Sequence, residues 1–72
     1  MPTIGVVGLG LMGASFALAV KKARPEITIV GVDRDAATAL KAMDRGIASA
    51  AGTDLDVIEM ADVVVVAVPI LA

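Results

Sequence analysis

Gly8-Leu9-Gly10-Leu11-Met12-Gly13 stands between a short β-branched run, Thr3–Val7 (Thr-Ile-Gly-Val-Val), and an alanine-rich stretch, Leu11–Ala23. The run is almost wholly apolar and does not alternate, the pattern of a strand covered on both faces. The stretch after it has helical period. Met12, Phe16, Ala19, Val20 and Ala23 recur at three- and four-residue spacing and define its expected buried stripe. Pro25 ends that helix. A strand, a glycine turn and a helix in this order make the first part of a βαβ unit.

The same alternation continues downstream. Ile27–Val32 (Ile-Thr-Ile-Val-Gly-Val) reads as a second strand that closes at Asp33. Asp35 suits the N-cap of a second helix over Ala36–Arg45, with Ala39, Leu40 and Met43 on one face, and Gly46 suits the residue just past its end. Ile47–Ala51 has room for a very short third strand. Thr53 or Asp54 caps a helical turn over Leu55–Met60. Asp62–Val68 (Asp-Val-Val-Val-Val-Ala-Val) is the clearest strand of all, stopped by Pro69.

Apolar strands alternating with helices predict an α/β fold, a Rossmann-type parallel sheet with right-handed crossovers. The expected strand order is 3-2-1-4, the first βαβαβ half of a doubly wound sheet and so an incomplete domain. The strand at Asp62–Val68 is then left with an uncharged valine edge, an aggregation hazard that finished proteins avoid. Residues 1–72 are therefore expected to be the N-terminal part of a dinucleotide-binding domain, belonging to something longer or completed by a partner chain. A chain this short is marginal as an independent structural protein.

The glycine spacing fits G-x-G-x-x-G, a string that carries weight only between a strand and a helix, where it stands here. Gly8 suits the tight turn out of the strand. Gly10 lacks a Cβ, so backbone can approach a pyrophosphate, and Gly13 lets the helix lie close to the first strand. Backbone amides from Gly10 through Leu11 to Met12 then face the ligand at a helix start, where the dipole amounts to about half a positive charge. Leu9 belongs to the same cofactor-binding loop.

Asp33 follows Gly13 by 33 − 13 = 20 residues, at the tip of the second strand. An acid there accepts hydrogen bonds from the adenosine ribose hydroxyls. A 2′-phosphate in place of the hydroxyl puts two negative charges about 4 Å apart, at a cost of up to about 4 kcal/mol in an effective dielectric of 20. The expected cofactor is NAD. Arg34 keeps NADP open, because a neighbouring guanidinium offsets that repulsion or stacks on the adenine. The alternative for Asp33-Arg34-Asp35 is a solvated turn ahead of a helix cap. Val68 and Pro69 end the fourth strand on the same sheet edge as the loop and are expected to line the cofactor crevice, although Pro69 also serves simply to stop a strand.

Composition excludes several classes. Six basic against eight acidic residues, a net charge of −2, is far from the footprint of a nucleic-acid binder. Four glycines among residues 5–13 and no basic residue before them argue against a signal peptide or a membrane span. Cysteine is absent, consistent with a cytoplasmic protein and excluding thiolate metal sites. Histidine is absent too, which removes the commonest general base. Ser15 has no base near it in sequence and is not a candidate nucleophile. No catalytic residue and no metal ligand is assigned, and residues 1–72 alone are expected to be inactive.

Three stretches together resemble the prephenate/arogenate dehydrogenase family: Ile4–Ser15 (Ile-Gly-Val-Val-Gly-Leu-Gly-Leu-Met-Gly-Ala-Ser), Val30–Arg34 (Val-Gly-Val-Asp-Arg) and Ala61–Pro69 (Ala-Asp-Val-Val-Val-Val-Ala-Val-Pro). The resemblance implies NAD(P)-dependent oxidative decarboxylation of prephenate or arogenate in tyrosine biosynthesis. It also implies a homodimer with a helical C-terminal domain that carries the catalytic histidine and the basic residues that hold the substrate. The cofactor roles it implies fall on Gly8, Gly10, Gly13 and Asp33, with Arg34, Val68 and Pro69 beside them. Two alternatives stand next to it. The β-hydroxyacid dehydrogenases look similar through the glycine loop and the Asp-Arg pair but usually have Asn where Leu11 stands. A non-catalytic NAD-binding module needs no further groups at all.

Overall fold

The computed structural model describes residues 2–67. Four strands form one parallel sheet: β1 (Thr3–Val7), β2 (Thr28–Val32), β3 (Ala50–Gly52) and β4 (Val63–Val66). Two helices, α1 (Leu11–Ala23) and α2 (Ala36–Asp44), and a 3₁₀ turn at Leu55–Ile58 connect them. The strand order is β3-β2-β1-β4, as the sequence pattern predicts. β1 is therefore interior, with Val6 beside Gly31 of β2 on one side and Val65 of β4 on the other.

Side chains alternate across the sheet, so the register sorts them by layer. Val6 and Ile29 point to the layer that holds both helices, where they join Leu9, Ala17, Ala39, Ala42, Ile47 and Ala48 in one buried cluster. Gly5 points to the opposite layer, where a Cβ on it would meet Ile58 and Ala61 around the 3₁₀ turn.

The helices turn inward only some of the residues their hydrophobic stripes predict: Ala39 fully, Phe16 and Val20 in part. α1 buries Gly13 and Ala17, half-buries Phe16 and Val20, and leaves Met12, Ala19 and Ala23 exposed. α2 buries Ala39 and Ala42, while Leu40 and Met43 are exposed. The cause is distance. A helix lying close on a sheet has room only for glycine and alanine along its line of contact, so the larger apolar residues are displaced to the flanks. A hydrophobicity ranking, which places Met and Leu above Ala, points one position away from the true contact.

Element ends show where competing hydrogen bonds win. Asp35 caps α2 as predicted, its carboxylate accepting from Ala37 N–H at 3.0 Å and from Thr38 Oγ1 at 3.2 Å. Asp35→Ala is expected to cost about 1 kcal/mol, read as a lower urea midpoint, and Asp35→Asn to retain most of it. Gly46 ends α2 in the left-handed region, at φ 70°. The third strand starts later than Ile47 because both Ile47 and Ala48 donate their N–H groups to Ala42 O at the helix end, which takes them out of the ladder. Asp54 rather than Thr53 caps the 3₁₀ turn, accepting from Asp56 N–H at 2.9 Å. β4 starts at Val63 because Asp62 is engaged otherwise. Its carboxylate accepts from Thr3 N–H at 2.7 Å and its own N–H donates to Thr3 O at 2.8 Å.

β4 is one of the two sheet edges among the described residues, and Val63, Val64 and Val66 on it are 46–66% exposed. No helix among the described residues is long and apolar enough to cross a membrane.

Candidate dinucleotide site

The site is the turn from β1 into α1 together with the tip of β2. β1 and β2 lie side by side and parallel, so both carboxyl ends reach the same sheet edge. Gly8 leaves β1 with φ 96°, a conformation that a side chain would strain, and donates its N–H to Val32 O at 2.7 Å. Gly13 lies so close beneath the loop that a Cβ on it would sit 1.7 Å from Gly8 O. Nothing lies within 4 Å of a Cβ built on Gly10. The two glycines thus do opposite things: Gly13 fills a contact inside the protein, and Gly10 keeps a surface open.

Gly10 is the N-cap residue of α1, and no side chain caps the helix. The N–H groups of Leu11, Met12 and Gly13 have no acceptor within the helix, as geometry requires of a first turn. Their partial positive charge faces the open side of Gly10, which suits an anion. Leu11 and Met12 are themselves exposed, at 86% and 66%.

The Asp33 carboxylate faces this loop. Its Oδ2 accepts from Leu9 N–H at 2.7 Å and its Oδ1 from Asp35 N–H at 2.9 Å. Two backbone donors fix the plane of the carboxylate, and each oxygen keeps acceptor capacity for another donor. Arg34 is exposed beside it. Leu9, expected among the cofactor contacts, packs under the loop and also lines the cleft described next. Its side chain is 3% exposed and its N–H is committed to Asp33. A cleft of about 260 Å³ opens between the start of α1 and α2, lined on one side by Gly10, Leu11 and Ala14 and on the other by Thr38, Lys41 and Arg45. Lys41 in α2 and Arg45 at its C-cap, four residues apart, bring two basic side chains to this cleft that the sequence reading did not single out. Val68 and Pro69 lie outside the described residues.

A glycine turn from an interior strand, an uncapped helix start and an acid on the neighbouring strand tip define a dinucleotide-binding α/β unit. Comparison with known proteins narrows the class. The family described as prephenate dehydrogenase, nucleotide-binding domain, matches residues 16–72, and the chain belongs to that family. The matched span begins after the glycine loop. The chain is 41% identical over 70 residues to the prephenate dehydrogenase of Lactococcus lactis subsp. cremoris (strain MG1363), covering 97% of this chain and 20% of that protein. It superposes on Synechocystis arogenate dehydrogenase with a TM-score of 0.82 at 39% identity, over 93% of this chain and 23% of that one. Prephenate dehydrogenase from A. aeolicus, solved in complex with hydroxyphenyl propionate and NAD+, gives a TM-score of 0.87 at 31% identity over 96% of this chain. That match covers 25% of the A. aeolicus chain. The chain therefore spans a quarter or less of the relatives it matches.

Proposed function

We propose that this chain is the part of a prephenate or arogenate dehydrogenase that grips the pyrophosphate and adenosine ribose of NAD. The observation that carries the proposal is the Asp33 carboxylate held 2.7 Å from Leu9 N–H, beside an uncapped helix start. In this reading the amides of Gly10, Leu11, Met12 and Gly13 hold the diphosphate. Asp33 accepts from the ribose hydroxyls, while Gly8 and Leu9 set the loop and Arg34 lies against the adenine end. Val68 and Pro69 are proposed to border the crevice from the fourth strand. Bound there, NAD supplies the hydride acceptor of the oxidation.

The rest of the enzyme follows the family's plan in this proposal. A helical C-terminal domain brings the base and the basic residues that hold the dicarboxylate substrate, and the enzyme works as a cytoplasmic homodimer in tyrosine biosynthesis. Residues 1–72, the N-terminal part of the dinucleotide-binding domain, supply no base. The proton of the substrate hydroxyl has to be taken by a group from elsewhere.

Calorimetric titration of the protein with NAD tests the proposal. Binding is expected, with NADP weaker by about tenfold or more, because a 2′-phosphate beside Asp33 raises the free energy by at least about 1.4 kcal/mol. Absence of heat with either nucleotide would refute it.

A further inference from the structure

Three contacts from the end of β2 converge on the first two residues of the glycine loop. Val32 O accepts from Gly8 N–H at 2.7 Å, and Asp33 Oδ2 accepts from Leu9 N–H at 2.7 Å. The third contact is apolar. Leu9 lies on the bare backbone of Gly31, where an added Cβ would come within 2.7 Å of both Leu9 Cδ atoms and 3.0 Å of its Cγ. We infer that Gly31 and Leu9 form a clamp that sets the glycine loop at the right height over the sheet and turns the Leu9 amide onto Asp33. Gly31 is thus a positioning residue for the dinucleotide although it lies within a strand, one residue from its end, under the loop. This role rests on the proposed dinucleotide function.

Gly31 points to the layer that holds α1, since it pairs in register with Val6, whose Cγ1 lies 3.3 Å from a Cβ built on Gly13. Leu9 is the loop residue that enters this layer, and it is buried there. A methyl at position 31 cannot be accommodated by turning the tip of Leu9, because rotation about χ2 moves the two Cδ atoms and leaves Cγ where it is. Rotation about χ1 would take the side chain out of its present place in the core cluster. The remaining response is to lift the backbone of Leu9, which lengthens its bond to Asp33 and shifts the amides of the next residues. Preformed geometry of this kind is what keeps the ordering cost of binding low.

The test compares wild type, Gly31→Ala, and Gly31→Ala combined with Leu9→Ala, which removes the Cγ and both Cδ atoms that oppose the new methyl. NAD is titrated into each well below its melting temperature, and exchange of the Leu9 amide proton is followed by NMR. Gly31→Ala is expected to weaken NAD by about tenfold and to speed exchange of the Leu9 amide, and the double variant to recover much of both. A merely structural role would lower the melting temperature and leave affinity, amide protection and the rescue pattern unmoved. Wild-type affinity and wild-type Leu9 protection in Gly31→Ala would overturn the clamp, as would a double variant no better than the single one. If wild type itself fails to bind NAD, the dinucleotide reading falls while the Leu9 exchange comparison still decides the clamp.

Discussion

Gly13→Ala is expected to destabilise the protein by about 3 kcal/mol, visible as a collapse of the urea midpoint by far-UV circular dichroism. The new methyl would sit 1.7 Å from Gly8 O, a backbone atom that cannot rotate away. Relief requires α1 to withdraw from β1, which loosens Val6 and Ala17, both at 0% exposure. Gly10→Ala is the matched control. Its methyl meets nothing within 4 Å, and its φ of −69° is acceptable to alanine, so the urea midpoint should stay within about 0.5 kcal/mol of wild type. Nucleotide affinity should fall nonetheless, since the methyl occupies the surface that a diphosphate has to approach. A stable Gly13→Ala protein would show that α1 does not press against the carbonyl of Gly8.

Asp33→Ala is expected to weaken NAD by between about tenfold and a hundredfold, from loss of a charged hydrogen bond to the ribose worth about 1.5–3 kcal/mol. The same change strips the Leu9 and Asp35 N–H groups of their acceptor. The Leu9 amide is part-buried, so stability also drops, by about 1–3 kcal/mol. Discrimination between NAD and NADP should narrow, because the repulsion toward a 2′-phosphate goes with the carboxylate. Asp33→Asn separates the two effects: its single amide oxygen can still accept from Leu9 N–H, whereas the charge is gone. The measurement is the ratio of NAD to NADP dissociation constants in each variant. An unaltered ratio in Asp33→Ala would remove this residue from the ribose role.

Strand positions and order were legible because an unbroken β-branched run has few other uses, and the glycine turn after β1 leads directly into a helix. The Asp33 position was legible for a similar reason, since its distance from Gly13 is set by the length of one helix and one strand. Helix orientation was legible at Gly13 and Ala39 but not at Ala17 and Ala42. Gly13, Ala17, Ala39 and Ala42 face the sheet because they are small, and a scale of hydrophobicity does not reward smallness. The partnership of Leu9 with Gly31 was hidden for another reason. It joins residues that are remote in sequence, and neither looks unusual where it stands.

The topology also has a consequence in time. β1 is made first and ends in the middle, flanked by β2 and by β4, with Asp62 bonded twice to Thr3 across 59 positions. A nascent chain emerging from a ribosome can pair β1 with β2 early, yet one flank of β1 stays bare until Val63–Val66 arrives and Ala67 N–H reaches Val7 O. Such distant closures slow folding, because loop entropy is lost before the contact repays it. The floor beneath the glycine turn is thus finished only when the fourth strand docks, and a nucleotide has nothing firm to grip until then.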